Sequence, residues 1–557
     1  MFYKTNKNLY NRNNAAENII LAASGFIFFA VCLAFLIPFI LSFVPLFSKR
    51  FDFTVVTGSG YKNVNAAYRI FKIAIFTITQ AFLSALLATV VGLCAAFFCA
   101  NRKFKLRRFL LSLSSVPLCV PSIIIALAFI IFFGNNGILN SMLKTILKKD
   151  ESIVNFLFSI TGVILIHAFY NFPIAMRTIS RVWEKLGTDE ENAALLLGAS
   201  KFRIFKTITL PALLNPVAAS FLLIFLFCFF SFIIILLFGG TGLTTLEVEL
   251  YKTARASLNI NFASKIAVIE FCIASSVIFL YSAVQKKLAG KLDNTKPLRE
   301  KSSIKGFKEK LFFTIIIGII FFFLIFPLIS IFLHSTYNVN YNSFLNKFFY
   351  FKAWKNICYS KIFWTSFAAT IKLGICTAVI TLSASVFFVY LTLYKPLKRI
   401  AAILPYFSLA VSSVMLGFGW FILKPSSSIT VLIFAQSSLA LPFAWTQIQN
   451  CILSIPKNIL NAGIILSYNK TDLFFRIILP LCKKGFISAF AFVFAISAGD
   501  ASLPIVLNIP HFQNLALLLF DYAGSYRFTE SSAVATVLAI TTGFVFFLQD
   551  RDNIRYE

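Results

Sequence analysis

The sequence predicts an all-α polytopic membrane protein of about twelve transmembrane helices. Three observations support this fold class: 59% of the 557 residues are hydrophobic, only 13% are charged, and long apolar runs recur along the whole chain. A soluble domain cannot bury so large an apolar fraction. Because backbone polar groups inside lipid must pair with one another, each run is expected to form a helix.

The apolar runs fall into two sets of six. The first set lies near residues 19–46, 70–100, 108–133, 153–176, 212–238 and 262–285, and the second lies near 311–333, 363–394, 398–423, 428–447, 484–507 and 530–549. A charged and polar linker, 286–310, separates a first repeat (19–285) from a second repeat (311–549), with terminal segments 1–18 and 550–557. Six spans return the chain to the same face of the membrane, so the repeats are expected to be parallel.

Basic residues indicate the orientation. With the amino terminus inside, the loops 101–107, 177–211 and 286–310 are cytoplasmic and contain many of the lysines and arginines, as the positive-inside rule requires. Both termini and the linker are then cytoplasmic.

The net charge of +30 is explained by these loops, and no nucleic-acid partner is predicted because no DNA- or RNA-binding motif accompanies the charge. The cysteines show no metal-ligand spacing, so neither a metal nor a cofactor is predicted.

The most informative stretch is polar and lies between two apolar runs, at Asp189–Pro216. Its acidic residues suit a first helical turn, Gly198 permits a sharp reversal, and Ser200 can cap a second short helix. Taken alone, this pattern is equally typical of an ordinary surface loop.

A second copy of this stretch lies further along the chain. Asn192, Ala193 and Pro211 correspond to Asn461, Ala462 and Pro480, each pair being separated by 269 positions. Upstream, Thr77 pairs with Thr365 at an offset of 288. These shared offsets predict an internal duplication.

The two stretches resemble the cytoplasmic loop of ABC-importer permeases, in which Glu-Ala-Ala is followed by three residues, Gly, nine residues and Ile-x-Leu-Pro. The first copy has Asn192 at the Glu position, directly after Glu191. The second copy departs further, with Asn461, Gly463 and Ser467 in place of Glu, Ala and Gly. The resemblance implies a first coupling loop over 183–211 and a second coupling loop over 452–480, each docking on a separate ATPase subunit. The implied coupling residues are Glu190, Glu191, Asn192, Ala193, Ala194, Gly198, Ala199, Ser200, Asn461, Ala462, Gly463 and Ser467.

Two more stretches narrow the resemblance. Thr245–Tyr251 (TLEVELY) and Gly524–Arg527 (GSYR) are similar to segments of the fused bacterial thiamine and iron(III) permeases, in which two permease domains form one chain. The resemblance implies a type I importer in the bacterial inner membrane. Its implied partners are two copies of an ATP-binding-cassette ATPase and a periplasmic or lipoprotein solute-binding protein.

Five residues within or beside the spans are candidates for the transport pathway. Pro117 and Pro121 would kink the third span and either border the pathway or bend the helix without further effect. His167 either lines the passage or packs in the core. Glu270 and Asp500 are the clearest charges inside spans; Glu270 is alternatively a paired structural carboxylate, and Asp500 either borders a cation passage or caps a helix.

The pattern favours a permease that moves a small solute inward by alternating access, with thiamine or iron(III) as the solute. It does not favour an enzyme, because the chain has no G-x-x-x-x-G-K-[ST] phosphate loop, and ATP hydrolysis is expected on a separate subunit. One alternative is a secondary transporter with duplicated halves, which works without an ATPase, and another is a non-transporting membrane scaffold, which lacks a polar pathway.

Overall fold

The fold was obtained from a computed structural model that describes residues 2–47, 66–113, 120–149, 151–186, 188–239, 244–289, 299–304, 306–337, 350–392, 407–424, 428–467 and 470–554. Before the linker, the α-helices are Phe2–Leu41, Ala66–Asn101, Arg107–Ser112, Ser122–Phe133, Ile138–Leu147, Ile160–Lys185, Asp189–Leu196, Lys201–Ile204, Leu210–Phe229, Ile233–Phe238, Leu246–Tyr251 and Ile260–Ala289. After the linker they are Phe307–Ile320, Phe326–Ser335, Lys352–Tyr359, Lys361–Thr392, Ser413–Leu423, Ile429–Leu453, Lys457–Leu466, Lys470–Leu473, Leu479–Leu481, Lys483–Gly499, Ser502–Leu507, Leu515–Gly524 and Phe528–Ile554. Two short described strands, Arg102–Lys103 and Ser302–Ser303, pair in parallel.

Within the described residues, ten helices are long and apolar enough to cross a membrane, or eleven if the bent pair Thr471–Leu481 and Lys483–Gly499 forms one span. Each overlaps an apolar run expected from the sequence, and the all-α polytopic class is confirmed. The span Ser122–Leu147 is displaced from its predicted run, 108–133, and shares only 122–133 with it. The run 398–423 is described only in part, because 393–406 lie outside the described residues and Ser413–Leu423 is a shorter apolar helix.

The third predicted span is divided rather than kinked. Helix Arg107–Ser112 ends before the undescribed residues 114–119, and a new helix begins at Ser122. Pro121 immediately precedes that helix with φ −55° and ψ 142°, because a proline lacks the N–H of a helix interior but is accommodated at a helix start. Pro117 lies outside the described residues.

The chain forms two compact units that do not follow the order of the sequence. One contains residues 1–48, 358–521 and 537–557, and the other contains 49–357 and 522–536. The first unit therefore combines the first span of the first repeat with most of the second repeat. The second unit combines the remainder of the first repeat with the linker and the first span of the second repeat.

Small residues allow close helix packing in the unit that contains 49–357. Helices Ala66–Asn101 and Ile160–Lys185 pack along each other, and the buried residues Ala81, Ala85 and Ala88 recur about once per turn on the first of them. At Gly92 a Cβ atom would lie 2.6 Å from Ala175 Cβ and 2.8 Å from the Phe172 carbonyl oxygen. The backbones therefore meet most closely where the side chain is absent.

Aromatic residues hold the linker-adjacent span in the same unit. Phe313 meets Phe98 with 5.0 Å between ring centroids, and Phe323 stacks on Phe169 at 4.4 Å. Burial of such large rings is a main stabilising contribution.

The unit that contains 358–521 has its core around Phe388, Trp445 and Phe494. The rings of Phe388 and Trp445 cross edge to face at 4.8 Å, and Phe28 of the first span reaches Phe388 at 5.2 Å. Gly374 approaches Phe494 so closely that a Cβ atom would lie 2.7 Å from its ring. Small and large residues thus interlock in this unit too.

Secondary structure confirms the duplication. The helix Lys201–Ile204 is followed by a π-helical turn at Phe205–Thr209, and Lys470–Leu473 is followed by one at Phe474–Ile478, both 269 positions later. A π-helical turn is rare, so its recurrence at the same offset is specific.

The upstream pairing of Thr77 with Thr365 is wrong. Thr77 Oγ1 accepts a hydrogen bond from the backbone N–H of Leu246 at 3.0 Å, and Thr370 Oγ1 accepts the equivalent bond from Leu515 at 2.8 Å. Leu246 and Leu515 are separated by the 269 positions of the duplication. The structural counterpart of Thr77 is therefore Thr370, since the shared feature is a hydroxyl that caps the start of a later helix.

We expect Gly92→Ala to lower the thermal stability of the purified protein, because the added methyl forces two closely packed helices apart. Overpacking of this kind costs about 1–3 kcal/mol. The matched control is Gly318→Ala, since nothing lies within 4 Å of a Cβ atom at that position. Thermal denaturation in detergent measures both, and equal melting temperatures for the two variants would contradict the packing account.

Candidate functional site

The segment 183–211, for which the resemblance implies a coupling role, contains a helix, a reversal and a second short helix. We name it the first coupling loop, and we name its counterpart, 452–480, the second coupling loop. Helix Asp189–Leu196 begins with three acidic residues, which are favourable beside the unpaired N–H groups of its first turn. The chain reverses at Gly198, whose φ of +81° is the left-handed conformation that favours glycine. The N–H of Ala199 donates to the Ala194 carbonyl at 3.0 Å, which closes the helix end. Ser200 then caps the next helix by accepting from the N–H of Arg203 at 3.3 Å.

The reversal presents apolar side chains to solvent. Leu196 is 90% exposed, Leu197 is 88% exposed and Phe202 is 76% exposed. Glu190, Asn192 and Ala193 are also exposed, while Ala194 and Ala199 are half-buried. An apolar tip of this size, fringed by polar residues, is typical of a surface that binds another protein.

The second coupling loop presents an equivalent tip. Ile465 and Leu466, 269 positions after Leu196 and Leu197, are 83% and 81% exposed. Asn461 and Ala462 are exposed, as their counterparts are. Ser467 replaces Gly198 without strain, because its backbone is extended (φ −86°, ψ 137°) rather than left-handed. Two loops of different local geometry therefore expose the same pair of large aliphatic positions.

Gly463 explains how the second coupling loop is held. It is buried, and a Cβ atom there would lie 3.0 Å from Ile477 Cδ1 and 3.1 Å from Leu473 Cδ1. The first loop has Ala194 at the same place, which is half-buried. The departure from the family pattern at Gly463 therefore lets the helix pack closely on apolar side chains.

Polar contacts hold the first coupling loop instead. Arg299 of the linker pairs with Glu191 through both terminal nitrogens, and Thr209 Oγ1 donates to Glu191 Oε1 at 2.7 Å. The Arg299 backbone N–H also donates to the Glu184 carbonyl at 2.8 Å. The Glu191 and Arg299 side chains are only 14% and 16% exposed, so solvent weakens this bidentate pair less than a surface pair.

Further contacts extend this attachment. Glu184 Oε1 accepts from Arg107 at 2.6 Å and from Lys301 at 3.3 Å. Arg102 pairs with Glu309, and its guanidinium donates to Ser302 Oγ at 2.7 Å. We name the linker residues Arg299, Lys301, Ser302 and Glu309, with their partners Arg102, Arg107, Glu184 and Glu191, the linker clamp.

The second coupling loop has no counterpart of the linker clamp within the described residues. Leu460 and Ile478 stand where the first loop has Glu191 and Thr209, and both pack in the apolar core of their unit. A polar attachment in one repeat is thus replaced by an apolar one in the other. Sequence reasoning missed this difference because the partner, Arg299, lies in the linker, far from the motif.

Two of the pathway candidates, His167 and Asp500, belong to residue pairs at equivalent positions of the two repeats. His167 is 1% exposed, and its Nε2 lies 2.8 Å from Ser231 Oγ. In the other unit, Gln436 Nε2 donates to Asp500 Oδ2 at 3.2 Å. Gln436 lies 269 positions after His167, and Asp500 lies 269 positions after Ser231, so the two pairs are equivalent in the duplication. The sequence identified one member of each pair and missed Ser231 and Gln436, although the same offset was available to find them.

Glu270 is fully buried within helix Ile260–Ala289. A buried position of this kind is typical of a structural carboxylate, and Glu270 is not a member of the His167–Ser231 or Gln436–Asp500 pair. No group of three or more His, Cys, Asp or Glu residues with metal-binding geometry occurs within the part of the chain that the structure describes.

Comparison with known proteins agrees with these features. Residues 88–293, which include the first coupling loop, match the family described as "Binding-protein-dependent transport system inner membrane component". The chain is 24% identical over 503 residues to the thiamine transport system permease protein ThiP of Brucella abortus (strain 2308), covering 86% of this chain and 88% of that protein. It is 23% identical over 485 residues to ThiP of Escherichia coli (strain K12), covering 85% and 87%. A shorter match, 31% identical over 183 residues, covers 33% of this chain and 62% of the sulfate transport system permease protein CysW of Synechocystis sp..

The fold and these similarities define a class: the chain is a multi-pass inner-membrane protein that resembles the permeases of ABC importers. More particularly, it resembles the fused two-domain thiamine permeases, because the similarity to ThiP extends over both repeats. The predicted resemblance is confirmed.

We expect Arg299→Glu to loosen the first coupling loop, because it places two carboxylates opposite each other in a half-buried site. Trypsin cleavage at the exposed Lys201 and Arg203 should accelerate roughly fivefold, the effect of losing about 1 kcal/mol of local stability. The double variant Arg299→Glu with Glu191→Arg should restore slow cleavage. The control is Arg527→Glu, which breaks an ion pair with Glu530 in the same unit but outside the loop. Equal cleavage rates for the wild type and Arg299→Glu would refute the clamp.

Proposed function

We propose that this chain is the permease subunit of an ABC importer for thiamine, driven by a separate ATPase that grips both coupling loops. The observation that carries the proposal is the pair of exposed aliphatic tips, Leu196–Leu197 and Ile465–Leu466, at equivalent positions of the two repeats. The relatives that extend over most of the chain are named for thiamine transport, which supports this solute over iron(III).

In the proposed mechanism, a solute-binding protein delivers thiamine to the outer face. Two ATPase subunits close on ATP and move the two coupling loops, and this movement switches the central passage from outward to inward access. Such a switch requires loops that transmit force. The linker clamp in the first loop and the apolar packing of Gly463 in the second supply that rigidity. Both loops and both termini then lie in the cytoplasm.

The central experiment uses the complex of this chain with the ATPase and binding protein encoded in the same genome. Replacing Leu196 and Leu197 together by glutamate should abolish co-purification of the ATPase, because two charges would enter an apolar contact. The matched control is Leu258→Glu, since Leu258 is 63% exposed but lies outside both coupling loops.

In proteoliposomes, the intact complex should accumulate thiamine only when ATP is supplied. Uptake that follows an ion gradient without any ATPase subunit would identify a secondary transporter and contradict the proposal. Retention of the ATPase by the double glutamate variant would contradict the role of the first tip.

A second prediction concerns the reversal at Gly198. Because proline cannot adopt a φ of +81°, Gly198→Pro should leave the protein in the membrane but abolish stimulation of the ATPase by the loaded binding protein. Gly198→Asn should retain most of the stimulation, since asparagine tolerates the left-handed conformation and nothing lies within 4 Å of a Cβ atom there. ATPase assays on the assembled complex distinguish the two variants, and full stimulation in the proline variant would overturn the prediction.

A further inference from the structure

Each repeat contains a broken helix at the same place. In one unit, helix Leu210–Phe229 ends and Ile233–Phe238 begins, with Ser231 in the break. In the other unit, helix Lys483–Gly499 ends and Ser502–Leu507 begins, with Asp500 in the break. Ser231 and Asp500 are separated by the 269 positions of the duplication. Discontinuous helices in transporters supply backbone and side-chain groups for solutes and ions, so two equivalent breaks indicate a functional feature.

A polar residue of a neighbouring span faces each break. His167 reaches Ser231 in the first repeat, and Gln436 reaches Asp500 in the second. Gln436 is itself oriented, because its Oε1 accepts from Ser497 Oγ at 2.5 Å and Ser497 Oγ lies 3.1 Å from Thr377 Oγ1. The amide nitrogen of Gln436 is thereby directed at the carboxylate.

The break in the second repeat carries a carboxylate whose hydrogen-bond partners among the described residues are neutral. Asp500 Oδ1 accepts from the backbone N–H of Ser502 at 2.8 Å, and Oδ2 accepts from Gln436. Among the residues that the structure describes, no basic side chain forms an ion pair with Asp500. Burying a carboxylate within a membrane domain is energetically costly unless a cation compensates its charge. The chain has 51 lysines and arginines against 21 acidic residues, so an acidic residue without a basic partner is unusual in it. Asp500 is also half-buried rather than sealed in the core.

We propose that the break at Asp500 is a contact site for the positive charge of the transported solute, with Gln436 as its positioning residue. The site would take an organic cation, and this inference rests on the proposed function, since thiamine carries a permanent positive charge on its thiazolium ring. The break at Ser231 is the neutral counterpart, because the first repeat has a hydroxyl where the second has a carboxylate. Asp500 thus makes the two repeats chemically different at an equivalent position.

The experiment separates cation contact from helix capping. Asp500→Asn keeps an oxygen that can accept from the Ser502 N–H but removes the charge, whereas Asp500→Glu keeps the charge. In proteoliposomes containing the full complex, Asp500→Asn should reduce ATP-dependent uptake of radiolabelled thiamine roughly tenfold, through a higher KM. Asp500→Glu should retain more uptake than Asp500→Asn. Assembly with the ATPase should be unchanged in both variants.

The matched control is Asp521→Asn. Asp521 also accepts from a glutamine, Gln513, at 2.8 Å, but it is exposed and lies outside the helix break. Uptake by this variant should equal that of the wild type.

Three results would overturn the inference: wild-type uptake by Asp500→Asn, an equal loss in Asp500→Asn and Asp500→Glu, or a lower melting temperature with loss of assembly in Asp500→Asn. The proposed function is tested separately by the wild type. If the wild-type complex hydrolyses ATP in response to its binding protein but takes up no thiamine, the thiamine assignment fails and the cation site fails with it.

Discussion

The pairing of backbone polar groups in an apolar medium is the constraint on which the structure of this protein depends. Long helices satisfy it internally, and every departure from a long helix needs a substitute partner. Thr77 and Thr370 each accept the first N–H of a later helix, and the Asp500 carboxylate accepts the N–H of Ser502 where a span is broken. Asn514 completes that break by donating its side-chain amide to the Asp500 carbonyl at 3.3 Å. At these places, polar side chains supply the hydrogen bonds that a continuous helix would have supplied.

The two duplicated loops are held in place by two different kinds of contact. In the first repeat, Glu191 is held by Arg299 and Thr209, and the linker contributes further contacts through Lys301 and Glu309. In the second repeat, the apolar residues Leu460 and Ile478 replace Glu191 and Thr209, and Gly463 brings the helix onto Leu473 and Ile477. Ionic contacts are directional and become weaker as the salt concentration rises. Apolar packing is not directional and does not weaken in salt. The first loop follows the family pattern more closely at Gly198, yet the second exposes its tip to almost the same extent.

The exchange of first spans between the repeats changes how the linker is understood. From the sequence alone, 286–310 is predicted to connect two consecutive domains. In the structure, the linker residues after 298 and the span that follows them belong to the same compact unit as the first coupling loop. The linker is therefore part of the support of that loop. Phe313 and Phe323 attach the following span through aromatic contacts, and these contacts are long-range in sequence.

The sequence by itself determined the helical class, the positions of nearly all the spans, the duplication and the two loop motifs. It did so because apolar runs, basic loops and recurring residues are local properties that survive without knowledge of contacts. It also identified His167 and Asp500, since an ionisable residue in an apolar run is conspicuous.

Only the tertiary structure decided which span joins which unit, which threonine matches Thr77, and which neutral residues face His167 and Asp500. The partners of Glu191 and Asp500, Arg299 and Gln436, are 108 and 64 residues away along the chain, and side chains at such separations meet only through packing. Hydrophobic periodicity specifies that a helix forms, but the complementary shapes of small residues such as Gly92 and rings such as Phe494 decide which helix it packs against.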